Sequence, residues 1–319
     1  MPFTFHTHSG QFCRHASGDL EGVVRAAISK GMLVLGLSEH MPRQRTQDLY
    51  PEESDMTTQD LYTAFSSYVA EARRLQAKYA GQIEILVGAE TEYITGDSLL
   101  EAKRLRQEHA LDYLVGSVHH IDEQPLDFSQ DLYDRLAVDH FKGDRAAMFA
   151  RYFDQQLELL QALQPEVIGH FDLVRIFGAT ASVGDPLLES EEVRRRASRN
   201  IDYAISYGAL FEVNSRAWKK GLRDAYPQRD LLAEILRKGG RVTVSDDCHG
   251  ENDVGMYYGR LRAYLQEMGA HDLWYLRRDE GRVQALVLEG GTEHDFWTAQ
   301  WLAEEGGGGS ARMTTTPPL

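Results

Sequence analysis

Phe3-Thr4-Phe5-His6-Thr7-His8 begins as a short apolar, strand-like run and gives out into two histidines. In an extended strand, residues two apart point the same way, so both imidazoles can face one ion. The pattern recurs along the chain. Leu33-Val34-Leu35-Gly36-Leu37 runs into Glu39-His40, Ile85-Leu86-Val87 into Glu90, and Tyr113-Leu114-Val115 into His119-His120. Val167-Ile168 leads to His170-Phe171-Asp172, and Val242-Thr243-Val244 to Asp246-Asp247-Cys248-His249. A short apolar run followed by a cluster of ligands reads as a buried strand with chemistry at its C-terminal end. Six such endings point to one metal-holding mouth.

Between these runs lie helical patterns over 19–30, 56–80, 98–109, 145–163, 190–207, 229–238 and 258–268. In the first, Leu20, Val23, Val24 and Ala27 share a face, Asp19 suits an N-cap and Gly31 a stop. Leu210-Phe211-Glu212-Val213-Asn214 supplies a further strand, ending in Asn214, Ser215 and Arg216. Seven strand–helix units in a row predict an α/β fold with a parallel sheet, because each strand needs a crossover helix to return. Active groups at every strand end favour a (βα)7 barrel, which gathers all its loops into one mouth. An open doubly wound sheet would offer only the strands at its switch point. Residues 273–276 and 283–288 form a C-terminal hairpin pattern, and the Gly/Thr/Pro-rich tail 306–319 has nothing to bury. The expected division is one catalytic domain over 1–305 and a disordered tail over 306–319.

The 319 residues are 42% hydrophobic and 26% charged, an ordinary soluble composition. No stretch approaches the ~18 consecutive apolar residues of a membrane helix. Two cysteines build no disulfide framework, and with no secretory pattern at the N-terminus a cytoplasmic location is expected. A formal charge of −15 argues against a nucleic-acid groove but not against a small phosphorylated molecule, since bound divalent ions would reverse the local sign.

Asp247 and His249 repeat the same-side spacing of His6 and His8, while Cys248 points away from them. Glu90 and Glu92 share a face, and a carboxylate can bridge two cations where an imidazole cannot. With His15, His40, His119 and His170, the candidate ligands number nine: His6, His8, His15, His40, Glu90, His119, His170, Asp247 and His249. Imidazoles with bridging carboxylates and few thiolates suit Zn, Mn or Fe, and so many ligands imply two or three divalent ions. Multinuclear sites of this kind serve phosphoryl displacement. Asp247, His249 and Glu90 are the candidate catalytic residues. Arg175 and Arg216 follow strand ends and could grip a phosphate bidentately, with Arg43 a third candidate. The chain carries no GxSxG elbow, GxxxxGK[ST] loop or GxGxxG fingerprint.

These blocks, in this order, resemble the PHP (polymerase and histidinol phosphatase) superfamily, over nearly the whole chain to about Val287. Within it the chain looks most like the monofunctional, fungal-type histidinol-phosphatases. His6-Thr7-His8-Ser9-Gly10, Ser38-Glu39-His40-Met41-Pro42-Arg43, Leu49-Tyr50-Pro51-Glu52-Glu53 and Gly116-Ser117-Val118-His119-His120 carry that similarity. So do Gly169-His170-Phe171-Asp172-Leu173-Val174-Arg175 and Glu212-Val213-Asn214-Ser215-Arg216. The resemblance implies a distorted seven-stranded barrel with three metal positions. His6, His8, Glu90 and Asp247 would hold the first, and His15, His40 and His249 the second. His119 and His170 would hold the third, with Glu90 bridging. Glu39 stands where an aspartate is more usual, and is read as orienting His40.

The activity so implied is hydrolysis of L-histidinol phosphate to L-histidinol and phosphate, a step in histidine biosynthesis, by a metal-bridging hydroxide. The rivals are another phosphoesterase of the same superfamily, acting on a nucleotide or phosphoprotein, and a metal-dependent C–N hydrolase. The last commonly uses a carboxylated lysine, and here no lysine ends an apolar run.

Overall fold

The computed structural model describes residues 3–177 and 189–297. Seven extended segments form its centre, three of them broken in two. In chain order they are β1 (Phe3–Thr4) with β2 (Thr7–His8), β3 (Val34–Leu37), β4 (Glu84–Val87) with β5 (Ala89–Glu90), and β6 (Leu114–Gly116). A small antiparallel ladder, β7 (His120–Ile121) with β8 (Gln124–Pro125), follows. Then come β9 (Val167–Ile168), β10 (Leu210–Asn214), and β11 (Arg241–Ser245) with β12 (Cys248–His249).

Every pairing among the seven segments is parallel. β1 pairs with β3, β3 with β4, β5 with β6, β6 with β9, β9 with β10, and β10 with β11. β12 then lies beside β2, with His249 opposite His8, so the pairings followed in order lead back to the first segment. An isolated parallel bridge between His40 and Glu90 continues the contact of the second and third segments at their C-terminal ends. That cyclic order is the connectivity a barrel needs, although the ladders themselves fall into a three-stranded and a five-stranded sheet joined by these short bridges.

A helix follows each segment, as parallel pairing demands. They span Leu20–Ser29, Thr58–Lys78, Gly96–Glu108, Arg145–Leu163, Glu191–Tyr207, Arg229–Arg237 and Tyr258–Glu267. Asp19 caps the first, accepting the Gly22 N–H at 2.6 Å, and Gly31 turns the chain out at φ 73°. The β7–β8 ladder and the short helices Gln130–Arg135 and Arg216–Lys219 carry no clear signal in the sequence. Asp122 and Glu123 make the β7–β8 turn at positive φ without a glycine to mark it.

One buried ring shapes the sheet just beneath the strand ends. The Tyr113 hydroxyl lies 2.8 Å from the Phe5 carbonyl, which it satisfies where β1 breaks before β2. A Cβ added at Gly88 would sit 2.5 Å from that ring, so the third segment must carry glycine where it breaks between β4 and β5. The C-terminal hairpin is present as β13 (Leu273–Asp279) and β14 (Arg282–Leu288), turning at Glu280-Gly281 with both at positive φ. β13 packs on β11 and β4, with Tyr275 stacked on Phe3 at 5.4 Å. It closes the end of the sheet opposite the histidines. The tail 306–319 lies outside the described residues.

Asp112 ties three of these parts together. Its carboxylate accepts the Val87 N–H at 2.8 Å, Arg73 at 2.9 Å and Arg278 of β13 at 2.5 Å. Burial works to raise its pKa, but these donors outweigh it and hold the carboxyl below 3.8. Asp112→Asn is expected to cost about 1–3 kcal/mol at pH 7. Because the folded pKa is depressed, the difference should be present in full above the unfolded value and shrink as the pH falls through the folded one. Urea midpoints of both proteins at pH 7 and pH 3 measure this.

Candidate active site

Parallel pairing puts the C-terminal ends of all seven segments on one side, and the expected ligands gather there around one carboxylate. Glu90, in β5, is almost wholly buried. Its Oε1 lies 3.0 Å from His6 Nε2, 3.1 Å from His170 Nε2 and 3.3 Å from His119 Nε2. Its Oε2 lies 3.0 Å from His40 Nδ1 and 3.3 Å from His8 Nε2. Asp247 Oδ1 is 3.7 Å from Nε2 of both His6 and His8, so the two same-side pairs of the first and last segments converge.

The donor atoms fall into overlapping groups, each within 4.8 Å across: His6, His8 and Asp247; His6, Glu90 and His170; His8, His40 and His249; Cys13, His15 and His40. His15, expected beside His40 and His249, has its ring 5.3 Å and 5.0 Å from theirs, while its Nδ1 faces Glu52 at 3.0 Å. Cys13 has its sulfur 3.2 Å from His15 Nε2, and burial pushes its thiol pKa far up.

Tautomers follow from the outer partners. His6 Nδ1 faces the Glu212 carboxylate at 3.0 Å and His8 Nδ1 faces Glu39 at 3.3 Å. His249 Nδ1 lies 3.0 Å from the Asp247 carbonyl, which can only accept. Each Nδ1 therefore carries its proton outward and leaves the Nε2 lone pair for the centre. The Nε2 atoms of His6, His8 and His40 are buried and have no hydrogen-bond partner among the described residues. Lone pairs turned toward carboxylate oxygens repel unless something positive lies between them. Neutral imidazoles with bridging carboxylates fit divalent metal ions.

The charge balance agrees. Burial opposes a charged His6, but Asp247, Glu90 and Glu212 outweigh it and raise its pKa well above 6.5. Burial likewise opposes a charged His8, yet Glu39 and Glu90 push it up to about 9. Burial and the neighbouring His8 take His40 down to about 4 and hold His249 well below 6.5. Glu90 is held well below the carboxylate range, its burial overcome by His6, His119 and His40. A proton at His6 Nε2 and a cation in front of it answer the same negative field, so the two compete.

The site opens into a cavity of about 500 Å³. Its lining combines metal-type residues with Tyr50, Phe128, Leu173, Ile176 and Tyr226. Of the three candidate arginines, only Arg216 lines it, donating from Nη1 to the Asp247 carbonyl at 2.9 Å. Arg43 pairs with Glu53 and lies over the Tyr50 ring at 4.0 Å. Arg175 binds Asp172 at 2.7 Å and the Ala225 carbonyl, and stacks over Tyr226 at 4.7 Å. Neither faces the cavity. Lys220 does, and its position past the end of β10 was missed.

Glu39 also corrects its expected role. It orients His8, while His40 has Glu92 at 2.8 Å, itself bound by the Tyr50 hydroxyl at 2.6 Å. Glu212 and Glu92 were not singled out as orienting groups. The signal was available for Glu212, a lone acid in the apolar run 210–213.

The PHP domain model matches residues 4–216. The chain belongs to the PHP family. A probable histidinol-phosphatase of Schizosaccharomyces pombe is 44% identical over 93% of this PHP chain and 96% of its own. The Saccharomyces cerevisiae histidinol-phosphatase is 29% identical over 89% and 94%. Among solved PHP-like structures, a putative histidinol phosphatase of Listeria monocytogenes superposes with a TM-score of 0.68 at 22% identity, covering 81% of this chain and 99% of its own. A Lactococcus lactis histidinol phosphate phosphatase, complexed with zinc, L-histidinol and phosphate, reaches 0.61 at 18% identity over 88% and 98%. At those identities the likeness speaks for the fold.

Glu212→Gln keeps the size of the side chain but replaces the ionised acceptor of His6 with an amide. Metal affinity is expected to fall about 10- to 100-fold with the fold unchanged. Metal analysis after dialysis, beside circular dichroism, checks both.

Proposed function

We propose that this chain hydrolyses L-histidinol phosphate to L-histidinol and inorganic phosphate, within one distorted (βα)7 domain over 1–305. The cluster of five imidazoles around Glu90 at the floor of an open cavity carries the reading, supported by 44% identity to a probable histidinol-phosphatase over nearly the full length of both chains.

His6, His8, Glu90 and Asp247 would hold one cation, His15, His40 and His249 a second, and His119 and His170 a third that shares Glu90. Two or three such ions, of Zn, Mn or Fe, supply Lewis acidity toward the phosphoryl group and acidify water at neutral pH. The chain's own groups do the rest. Glu212 and Glu39 hold the His6 and His8 imidazoles in place. Asp247 and His249, which line the cavity, would orient the attacking water. Arg216 and Lys220 bring positive charge to the phosphate oxygens, where charge develops during the displacement. The apolar wall excludes bulk water from the reacting end.

Phosphate release should be at least about 100-fold more efficient, as kcat/KM, from L-histidinol phosphate than from p-nitrophenyl phosphate, since a site shaped for the amino alcohol rejects a substrate lacking its polar groups. Comparable values would sink the biosynthetic reading. Chelation should abolish both activities and added Zn or Mn restore them. Glu90→Gln should lower both on the order of 10²–10³-fold.

A further inference from the structure

Asp127 stands apart from the metal-type residues yet lines the same cavity, next to Phe128 in the apolar wall. Its Oδ1 is shut off from solvent, and its side chain has no hydrogen bond or ion pair with any described residue. Buried carboxylate oxygens without partners are costly, and a site that keeps one has a use for it. His119, His170 and Lys220 line that cavity with it. Asp127 therefore shares its cavity with His119 and His170, the residues of the third proposed metal position.

We infer that Asp127 is the acceptor for the ammonium group of the substrate. This rests on the reading of the substrate as L-histidinol phosphate. In that molecule the ammonium is on the carbon next to the ester methylene, so a phosphate held at the metal cluster keeps the ammonium close by. The imidazole is one carbon further out, toward the aromatic wall where Phe128 meets Tyr50 edge-on at 4.8 Å. A carboxylate beside the cluster suits the group that is charged throughout neutral pH. The rings suit the planar one.

The test uses the metal-loaded enzyme and its Asp127→Asn variant. The variant should lose about 10- to 100-fold in kcat/KM on L-histidinol phosphate, mainly through KM, with p-nitrophenyl phosphate turnover and metal content unchanged. Inhibition of aryl phosphate turnover by L-histidinol should weaken by the same factor, and inhibition by inorganic phosphate should not. Equal losses on both substrates, or no loss on either, overturn the assignment. Should the variant fail to fold, the wild-type enzyme still decides: it should favour L-histidinol phosphate over the same imidazolyl-propyl ester without the amine by that factor, and equal turnover overturns the inference. If the wild type fails on L-histidinol phosphate, the functional reading falls separately. Inhibition by L-histidinol, set against the variant, then still judges Asp127 alone.

Discussion

Burying the Glu90 carboxylate is the constraint on which this site is built. A lone carboxylate in a protein interior is expensive, and here five imidazoles from four other segments stand around it. No single strand could supply them, because alternation places only every second residue on a given face. The chain must bring several strand ends to one point, and parallel strands with returning helices do so. The breaks in the first, third and seventh segments serve the same end. Each lets one half pair low in the sheet and the other half, bearing His8, Glu90 or His249, reach a different neighbour above.

Around that centre runs an outer layer of acids. Glu212 holds His6 and Glu39 holds His8, while Glu92 lies 2.8 Å from the same His40 nitrogen that faces Glu90. The net charge of −15 is partly this layer's doing, and it is consistent with a site whose charge is completed by cations. Without them, the chain answers its own carboxylates by raising His6 and His8 while lowering His40 and His249. Strongly perturbed, oppositely shifted imidazoles gathered in one cavity mark a functional site.

The strand ends were legible because the signal is local: an apolar run, then a ligand, then the same two-residue spacing. His6 with His8 and Asp247 with His249 need nothing beyond the strand period. The partners of those ligands were not legible, since they depend on register between segments. Glu39 adjoins His40 in sequence, yet adjacent strand residues face opposite ways, and it turns to His8 on the neighbouring segment instead. Asp127 and the β7–β8 turn were invisible for another reason. They lie in irregular chain, where no periodicity ranks one acid above another.

The arginines show how position along a strand can mislead. Arg43 and Arg175 both follow ligand-bearing strand ends, and a guanidinium there reads naturally as a phosphate clamp. Each instead lies over the ring of a tyrosine that lines the cavity, Arg43 over Tyr50 and Arg175 over Tyr226. Arg43 pairs with the buried Glu53, and Arg175 with Asp172 and the Ala225 carbonyl. A buried guanidinium paired in this way is a positioned group rather than a free cation. The two arginines thus stiffen the aromatic walls, leaving the direct positive charge at the cavity to Arg216 and Lys220. Both belong to the segment just past β10, so that strand end contributes charge where the others contribute ligands.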